Sequence, residues 1–238
     1  MANIVVLQHH AATGPSAFAD TLDTRANAVS WRCLDVTADE PLPDPAMIDG
    51  LIVMGGPMGV PDRDDHPWMD AELDLLRAAV EAEVPVFAVC LGAQLVATAL
   101  GGRVERRSTP EFGFIALQRT EDGLADPVAA GWPDGAAALL SHEDDIVGVP
   151  TDAVPLLQGS DATSAWRFGS ALCVQFHPEV THEQLTEWAE LLTELLADAA
   201  VDVEAFLEEA RRRDRYTRSI GGALLSRWID TEVLPGAH

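Results

Sequence analysis

The sequence predicts an α/β fold, with an open, mostly parallel central sheet, helices on both of its faces and antiparallel strands added late in the chain. Three observations predict it. Short apolar runs at residues 4–7, 50–54 and 84–89 lack polar alternation, as strands buried on both faces require. Helical patterns fill the intervals between them. Beyond Gly102 the apolar segments shorten and turn residues multiply, which points to hairpins at the edge of a parallel core.

The elements follow in order. Residues 4–7 form the first strand, and a helix over residues 16–26 opens at a cap. After the strand at 50–54, Met69, Leu73, Leu75, Leu76 and Val80 alternate with Asp70, Glu72, Asp74 and Glu81, the pattern of an amphipathic helix. The strand at 84–89 runs straight into a helix that ends near Gly101 and Gly102. Shorter strands are expected at 103–106, 112–117, 136–140, 154–158, 164–168 and 172–176, in partly antiparallel hairpins. Thr181 with Gln184 reads as a capping box before the helical spacing of Leu185, Trp188, Leu191, Leu192 and Leu195. Residues 1–200 are expected to form one domain and 201–238 a helical extension packed on it, since no repeat, low-complexity tract or linker intervenes. In that extension Val203, Phe206, Leu207 and Ala210 suit one helix face, and Ile220, Leu224, Leu225, Trp228 and Ile229 a second helix. Between them Arg211, Arg212, Arg213, Arg215 and Arg218 form the one basic cluster of the chain. Two readings fit: the apolar faces pack on the chain's own core while the arginines pair locally, or the segment docks another protein.

Composition narrows the function classes. At 238 residues and 47% hydrophobic content the chain can bury a substantial core. Its 39 acids stand against 15 arginines and no lysine, and a net charge of −24 repels nucleic-acid phosphates and anionic lipid. No apolar window approaches the roughly 20 residues of a membrane span, and the first residues lack a charged leader, so a cytoplasmic protein is expected. Cys33, Cys90 and Cys173 lie far apart without C-x-x-C or Cys/His spacing, which favours neither a disulfide framework nor zinc. Cys33 and Cys173 fall in expected strands and read as small core residues.

Three segments carry chemistry. In Pro85-Val86-Phe87-Ala88-Val89-Cys90-Leu91-Gly92-Ala93-Gln94, Cys90 sits at a strand-to-helix turn, where unpaired N–H groups and the helix dipole favour a thiolate. The N–H of Leu91 then points at a developing oxyanion, as in a nucleophile elbow. A buried structural cysteine fits this segment alone equally well. In Val174-Gln175-Phe176-His177-Pro178-Glu179, extended backbone turns His177 and Glu179 the same way, so the carboxylate can orient the imidazole. Met54-Gly55-Gly56-Pro57-Met58-Gly59 is a glycine-rich turn whose backbone can approach a ligand closely, but it matches no phosphate-loop pattern. His9 and His10 read as solvated loop residues without a role, and Asp62, Asp64, Asp65 and His66 as solvated surface rather than metal ligands.

Taken together, the ordered blocks GGPMGVPDRDDHPW, PVFAVCLGAQLVATALGGRV, EFGF, SHEDD and VQFHPEVT resemble the class I, triad-type glutamine amidotransferases, nearest to stand-alone proteins similar to the amidotransferase domain of GMP synthase. The resemblance spans residues 4–196 and implies a flavodoxin-like sheet of that family's kind. It implies Cys90 as nucleophile, His177 as general base and acid, and Glu179 as its orienting partner. It further implies Gly56 and Leu91 as oxyanion donors, and Gln94, Ser141 and His142 as seats for the substrate amino acid. The chemistry it implies is attack of Cys90 on the glutamine side-chain amide, loss of ammonia as a γ-glutamyl thioester forms, and hydrolysis of that thioester to glutamate, with no metal or organic cofactor. Ammonia then serves an acceptor or a partner synthetase, because the chain carries no nucleotide-binding motif. Two positions depart from the pattern: Ala88 replaces a glycine before the nucleophile, and Glu143 replaces a glycine in the SHEDD block. Glu143 keeps open a stand-alone γ-glutamyl hydrolase or peptidase. A non-catalytic binding module on the same fold is the third reading, disfavoured by the complete triad.

Overall fold

The computed structural model describes residues 1–38, 40–159 and 163–236; the last two residues of the expected extension, 237 and 238, lie outside them. In chain order the strands are β1 (Ala2–Gln8), β2 (Val29–Asp35), β3 (Gly50–Val53), β4 (Val86–Val89), β5 (Arg103–Ala116), β6 (Gln118–Arg119), β7 (Ala137–Gly148), β8 (Val154–Gln158), β9 (Thr163–Phe168) and β10 (Ala171–Val174). The helices are α1 (Ala17–Asp23), α2 (Trp68–Glu81), α3 (Leu91–Ala99), α4 (Glu121–Ala125), α5 (His182–Leu191), α6 (Thr193–Asp198) and α7 (Val203–Trp228). Eight strands form one sheet in the order β2-β1-β3-β4-β10-β9-β8-β6, while β5 and β7 pair separately. The five strands from β2 to β10 in that order run parallel, and β9, β8 and β6 extend the sheet by antiparallel pairing.

Successive side chains of a strand face opposite ways, so the continuous apolar runs feed two cores at once. Ile4, Val6, Ile52, Phe87, Val89, Leu172 and Val174 meet Phe18 and Leu22 of α1 and Leu224, Leu225 and Trp228 of α7 on one face. Val5, Leu7, Leu51, Val53, Val86 and Ala88 meet α2 and α3 on the other. The triad segments lie at the carboxyl ends of β4 and β10, adjacent parallel strands near the middle of the sheet, where α/β folds place their clefts.

Several elements differ from the sequence expectation. The two strands expected at 103–106 and 112–117 are one long strand with an irregularity between Arg106 and Glu111, and its partner β7 carries the whole SHEDD block in extended form. Thr181 caps α5 by accepting from the Gln184 N–H, but the Gln184 side chain donates to the Ala12 and Gly14 carbonyls instead of returning to the cap. The two helices expected beyond residue 200 are the single helix α7. Arginine is a good helix former, and Arg211, Arg212 and Arg213 pair with Glu208 and Glu209 one turn earlier, so nothing in the basic stretch breaks the helix. Cys33 is exposed on β2 at the sheet edge rather than buried in the core.

Candidate active site

Cys90 joins β4 to α3 with φ 50° and ψ −106°, a conformation an L-residue holds only when its surroundings impose it, at a cost of roughly 1–3 kcal/mol. The surroundings do so: the Cys90 N–H donates to the Val174 carbonyl at 2.8 Å, and its own carbonyl accepts from the Gln94 N–H at 3.0 Å. Gly92 lets the first turn of α3 sit directly on the end of β3, since a Cβ there would lie 2.9 Å from the Val53 carbonyl carbon. The thiol lies 3.7 Å from the Ser141 carbonyl and 3.5 Å from the Gln175 side-chain amide. Leu91 occupies the first position of α3, so its N–H has no partner inside the helix.

His177 follows β10 and is held on several sides. Its N–H donates to Leu139 of β7 at 2.8 Å, its ring meets Trp188 edge-on with centroids 4.8 Å apart, and a Cβ on Gly55 would come within 3.0 Å of its Cε1. Nδ1 lies 2.8 Å from Glu179 Oε1, both side chains being buried, which leaves Nε2 for the hydrogen bond with Cys90. Burial alone drives the imidazole toward neutrality. The Glu179 carboxylate and the Cys90 sulfur outweigh it and raise the pKa to about 10. Such a site can hold an imidazolium beside a sulfur nucleophile and hand its proton to a leaving group.

A cavity of about 440 Å³ opens over this pair. Gly56, Cys90, Leu91, Gln94, Ser141, His142 and His177 all line it, so the expected site residues share one space; Glu179 stands behind His177. Within that space Gln94 donates its side-chain amide to the Asp144 carbonyl at 3.1 Å. The His142 ring has Nδ1 3.0 Å from the Asp144 carbonyl and Nε2 3.1 Å from Glu111, whose carboxyl it holds below the ordinary range. Glu143 lines the mouth with Asp144 and Glu194.

Comparison with known proteins identifies the chain. The family model for class I glutamine amidotransferases matches residues 18–192. The chain belongs to the class I glutamine amidotransferase family. It is 36% identical over 141 residues to a glutamine-hydrolysing GMP synthase of Pseudomonas fluorescens, a match covering 56% of this chain and 26% of that protein, so the aligned stretch spans about a quarter of that relative. It is 33% identical over 145 residues to a glutamine-hydrolysing GMP synthase subunit from Thermoplasma volcanium, covering 58% of this chain and 65% of the relative. A glutamine amidotransferase structure from Methylobacillus flagellatus superposes with a TM-score of 0.85 at 27% identity, over 97% of this chain and 95% of that one. One from Thermotoga maritima gives 0.85 at 23% identity over 97% and 99%, and shows the shared fold.

Residues that the sequence reading leaves without a role lie around the candidate site. His9 is buried against Glu72 of α2, with Nε2 3.1 and 3.2 Å from the two carboxylate oxygens and Nδ1 3.2 Å from the Gly55 carbonyl, so it is not the solvated loop residue expected. Arg106 of β5 ties Asp62, beyond the glycine-rich turn, to Asp144 and Glu143 of β7, with its closest contacts at 2.6 Å. Asp62 therefore belongs to an ion-pair network. A signal for Glu72 is present: Met69, Glu72, Leu73 and Leu76 fall at the spacing of one helix face, which places an acid on the buried stripe. Among the described residues no group of three or more acids, histidines and cysteines is arranged to hold a metal, and no helix is long and apolar enough to cross a membrane.

Proposed function

We propose that the protein hydrolyses the side-chain amide of L-glutamine through a γ-glutamyl thioester on Cys90. The observation that carries this reading is the buried Glu179–His177–Cys90 line opening into a single cavity beside the first N–H groups of α3. The Cys90 sulfur attacks the amide carbon, and the oxygen that gains the negative charge lies against the N–H groups of Leu91 and Gly56. His177 gives its Nε2 proton to the departing nitrogen, so ammonia leaves and the thioester remains. His177 then takes a proton from water, which attacks the thioester carbonyl. Collapse of the second tetrahedral species returns the sulfur and yields glutamate. Glu179 keeps Nδ1 protonated throughout. Gln94, Ser141 and His142 seat the α-amino and α-carboxyl groups.

Ammonia so released serves an acceptor or a synthetase partner; the Thermoplasma volcanium relative, described as a subunit of GMP synthase, supports a two-protein arrangement. A second reading, hydrolysis of a γ-glutamyl amide with a larger amine, draws support from Glu194 and Glu143 among the lining residues, although Arg106 already pairs with Asp144 and lies 3.5 Å from Glu143. Glutamate and ammonia release from glutamine, compared with amine release from γ-glutamyl amines, tests both. Turnover of glutamine that disappears in Cys90→Ala supports the first reading; turnover confined to γ-glutamyl amines replaces it with the second; none on either overturns both.

A further inference from the structure

We infer that His9 and Glu72 are positioning residues that hold the Gly55–Gly56 peptide with its N–H turned toward the substrate oxygen. This rests on the reading of Gly56 as an oxyanion donor. A trans peptide unit points its C=O and its N–H in opposite directions, so whatever grips the Gly55 oxygen aims the Gly56 nitrogen. His9 Nδ1 lies 3.2 Å from that oxygen and His9 is not among the residues that line the cavity, while Gly56 itself lines it. The neighbours of the ring decide its protons. A carbonyl oxygen faces Nδ1, so that nitrogen carries a proton and donates to it, while the Glu72 carboxyl, 3.1 and 3.2 Å from Nε2, fixes the opposite edge of the ring.

The pair sits where only an indirect effect on substrate is open to it. His9 is 1% exposed and Glu72 0%, neither lines the cavity, and the Trp68 ring covers His9 at a centroid distance of 5.3 Å. The peptide it grips lies between two glycines, which impose little torsional preference of their own and would let the peptide rotate. Packing confines it from both sides: a Cβ on Gly56 would lie 2.8 Å from Leu91 Cδ2 and 3.0 Å from His9 Cβ. A buried ion pair is a weak source of stability compared with apolar packing. Packing limits where the turn can sit, whereas the direction of its peptide calls for a directional contact such as the one on the Gly55 oxygen.

Two double variants and two single ones separate positioning from support. His9→Phe with Glu72→Leu removes the grip without leaving a buried charge. His9→Asn with Glu72→Gln keeps an amide donor near the Nδ1 position. Kinetics on glutamine are measured beside the rate at which iodoacetamide alkylates Cys90, a reaction that needs no oxyanion donor. Loss of one such donor costs about 10²–10³ in kcat, and a misdirected one is expected to cost about ten- to a hundredfold. The apolar pair should lose that much kcat with KM within about threefold and alkylation unchanged, and the Asn/Gln pair should recover most of the loss. Wild-type kinetics in the apolar pair, alkylation falling in step with kcat, or an Asn/Gln pair no better than the apolar one overturns the inference and leaves the glutaminase reading standing. Should the apolar pair not fold, the single variants decide: His9→Asn must exceed His9→Gln, whose longer amide reaches Glu72 but leaves the Gly55 oxygen without a donor, and equality or reversal overturns the inference. A wild-type protein inert toward glutamine overturns both.

Discussion

Substitution Gly92→Ala tests how far the chemistry depends on the seat of α3. An added Cβ would lie 2.9 Å from both the carbonyl carbon and Cγ1 of Val53 and closer still to the carbonyl oxygen, against an ordinary contact of 3.4 Å. Backbone, not a mobile side chain, is in the way, so relief requires the start of α3 and the end of β3 to part by roughly half to one ångström. Overpacking of this kind costs about 1–3 kcal/mol, which in a chain of this size lowers Tm by about 2–12 °C. The catalytic cost should be larger in proportion. The same movement carries Cys90 and the Leu91 N–H away from the Gly55–Gly56 turn, and a misplacement of about 1 Å at reacting groups costs about a hundredfold. Gly101, just past the other end of α3, is the control: its φ of +84° makes alanine unfavourable by about 1–2 kcal/mol, yet no atom lies within 4 Å. Thermal melts and glutamine kinetics on both variants are the assay. Gly101→Ala should lose stability and keep its turnover, whereas Gly92→Ala should lose both. If Gly92→Ala turns over within about twofold of wild type, the link between helix seating and chemistry is wrong.

The remaining predictions follow from the same geometry. Cys90→Ala should abolish glutamine turnover and His177→Ala nearly so, while Glu179→Gln should leave the largest residue; a different ranking in kcat/KM contradicts the assigned roles. Because Glu179 and Cys90 hold the His177 proton up to about pH 10, activity should fall on the alkaline side near that value, and Glu179→Gln should bring the alkaline limb down toward the ordinary histidine value of 6.5 in the pH–rate profile. Brief iodoacetamide treatment followed by mass mapping should place label first on Cys90: burial pushes the Cys173 thiol well up, and partial burial with Asp35 and Glu40 nearby raises that of exposed Cys33. Arg106→Met should destabilise more at pH 7 than at pH 4. Burial already raises the Asp144 carboxyl above its ordinary 3.8, so the native state keeps that proton to higher pH than the unfolded chain, and stability falls as pH rises from 3.8 through the folded value. Removing the opposing Arg106 raises the folded value further and deepens that fall; urea melts showing an equal loss at both pH values would refute it.

What the sequence discloses depends on whether a residue's neighbours are local. The parallel core strands and the Cys90 turn are legible because a doubly buried strand is apolar throughout and the following helix starts at once. β5 is legible at its two ends, 103–106 and 112–116, but not as one strand, since the polar stretch between them is half-exposed and the pairing partner β7 lies outside the main sheet. β2 is an edge strand with buried residues only at Val29 and Leu34, so it shows no run and no alternation, and Cys33 looks like core when it is surface. The triad partners His177 and Glu179 are readable because they stand two residues apart. His9 and Glu72 are 63 positions apart, and Arg106 and Asp62 are 44 apart, so only the fold shows that they meet. An acid on an acidic helix carries no mark of its burial beyond its phase.

Those distant neighbours also lead us to propose the first of the two readings of the C-terminal segment, in which its apolar faces pack on the chain's own core. The apolar face that a docking surface would need is occupied: Phe206 stacks among Phe112 and Phe114 of β5, and Trp228 meets Phe87 of β4 edge-on at 5.8 Å. Both Trp228 and Val233 stand 3.1 Å from where a Cβ on Gly50 would project, so the end of the segment closes directly on the central sheet. Four of the five clustered arginines are engaged locally as well, Arg211, Arg212 and Arg213 with acids of the same helix and Arg218 with Asp20 of α1. Half-buried Arg167 of β9 binds both Asp126 and Glu232, and Arg25 pairs with Asp230, which fastens the residues after α7 to two other parts of the fold. One contact reaches the chemistry itself. Gly221 of α7 packs so tightly on the Pro178 carbonyl that any side chain there would collide with it, and Pro178 lies between His177 and Glu179. The helix beyond the family match at residue 192 therefore backs the turn that sets the angle between base and carboxylate. On this proposal the segment supports the turn that carries His177 and Glu179, and its buried apolar residues serve the sheet beneath them.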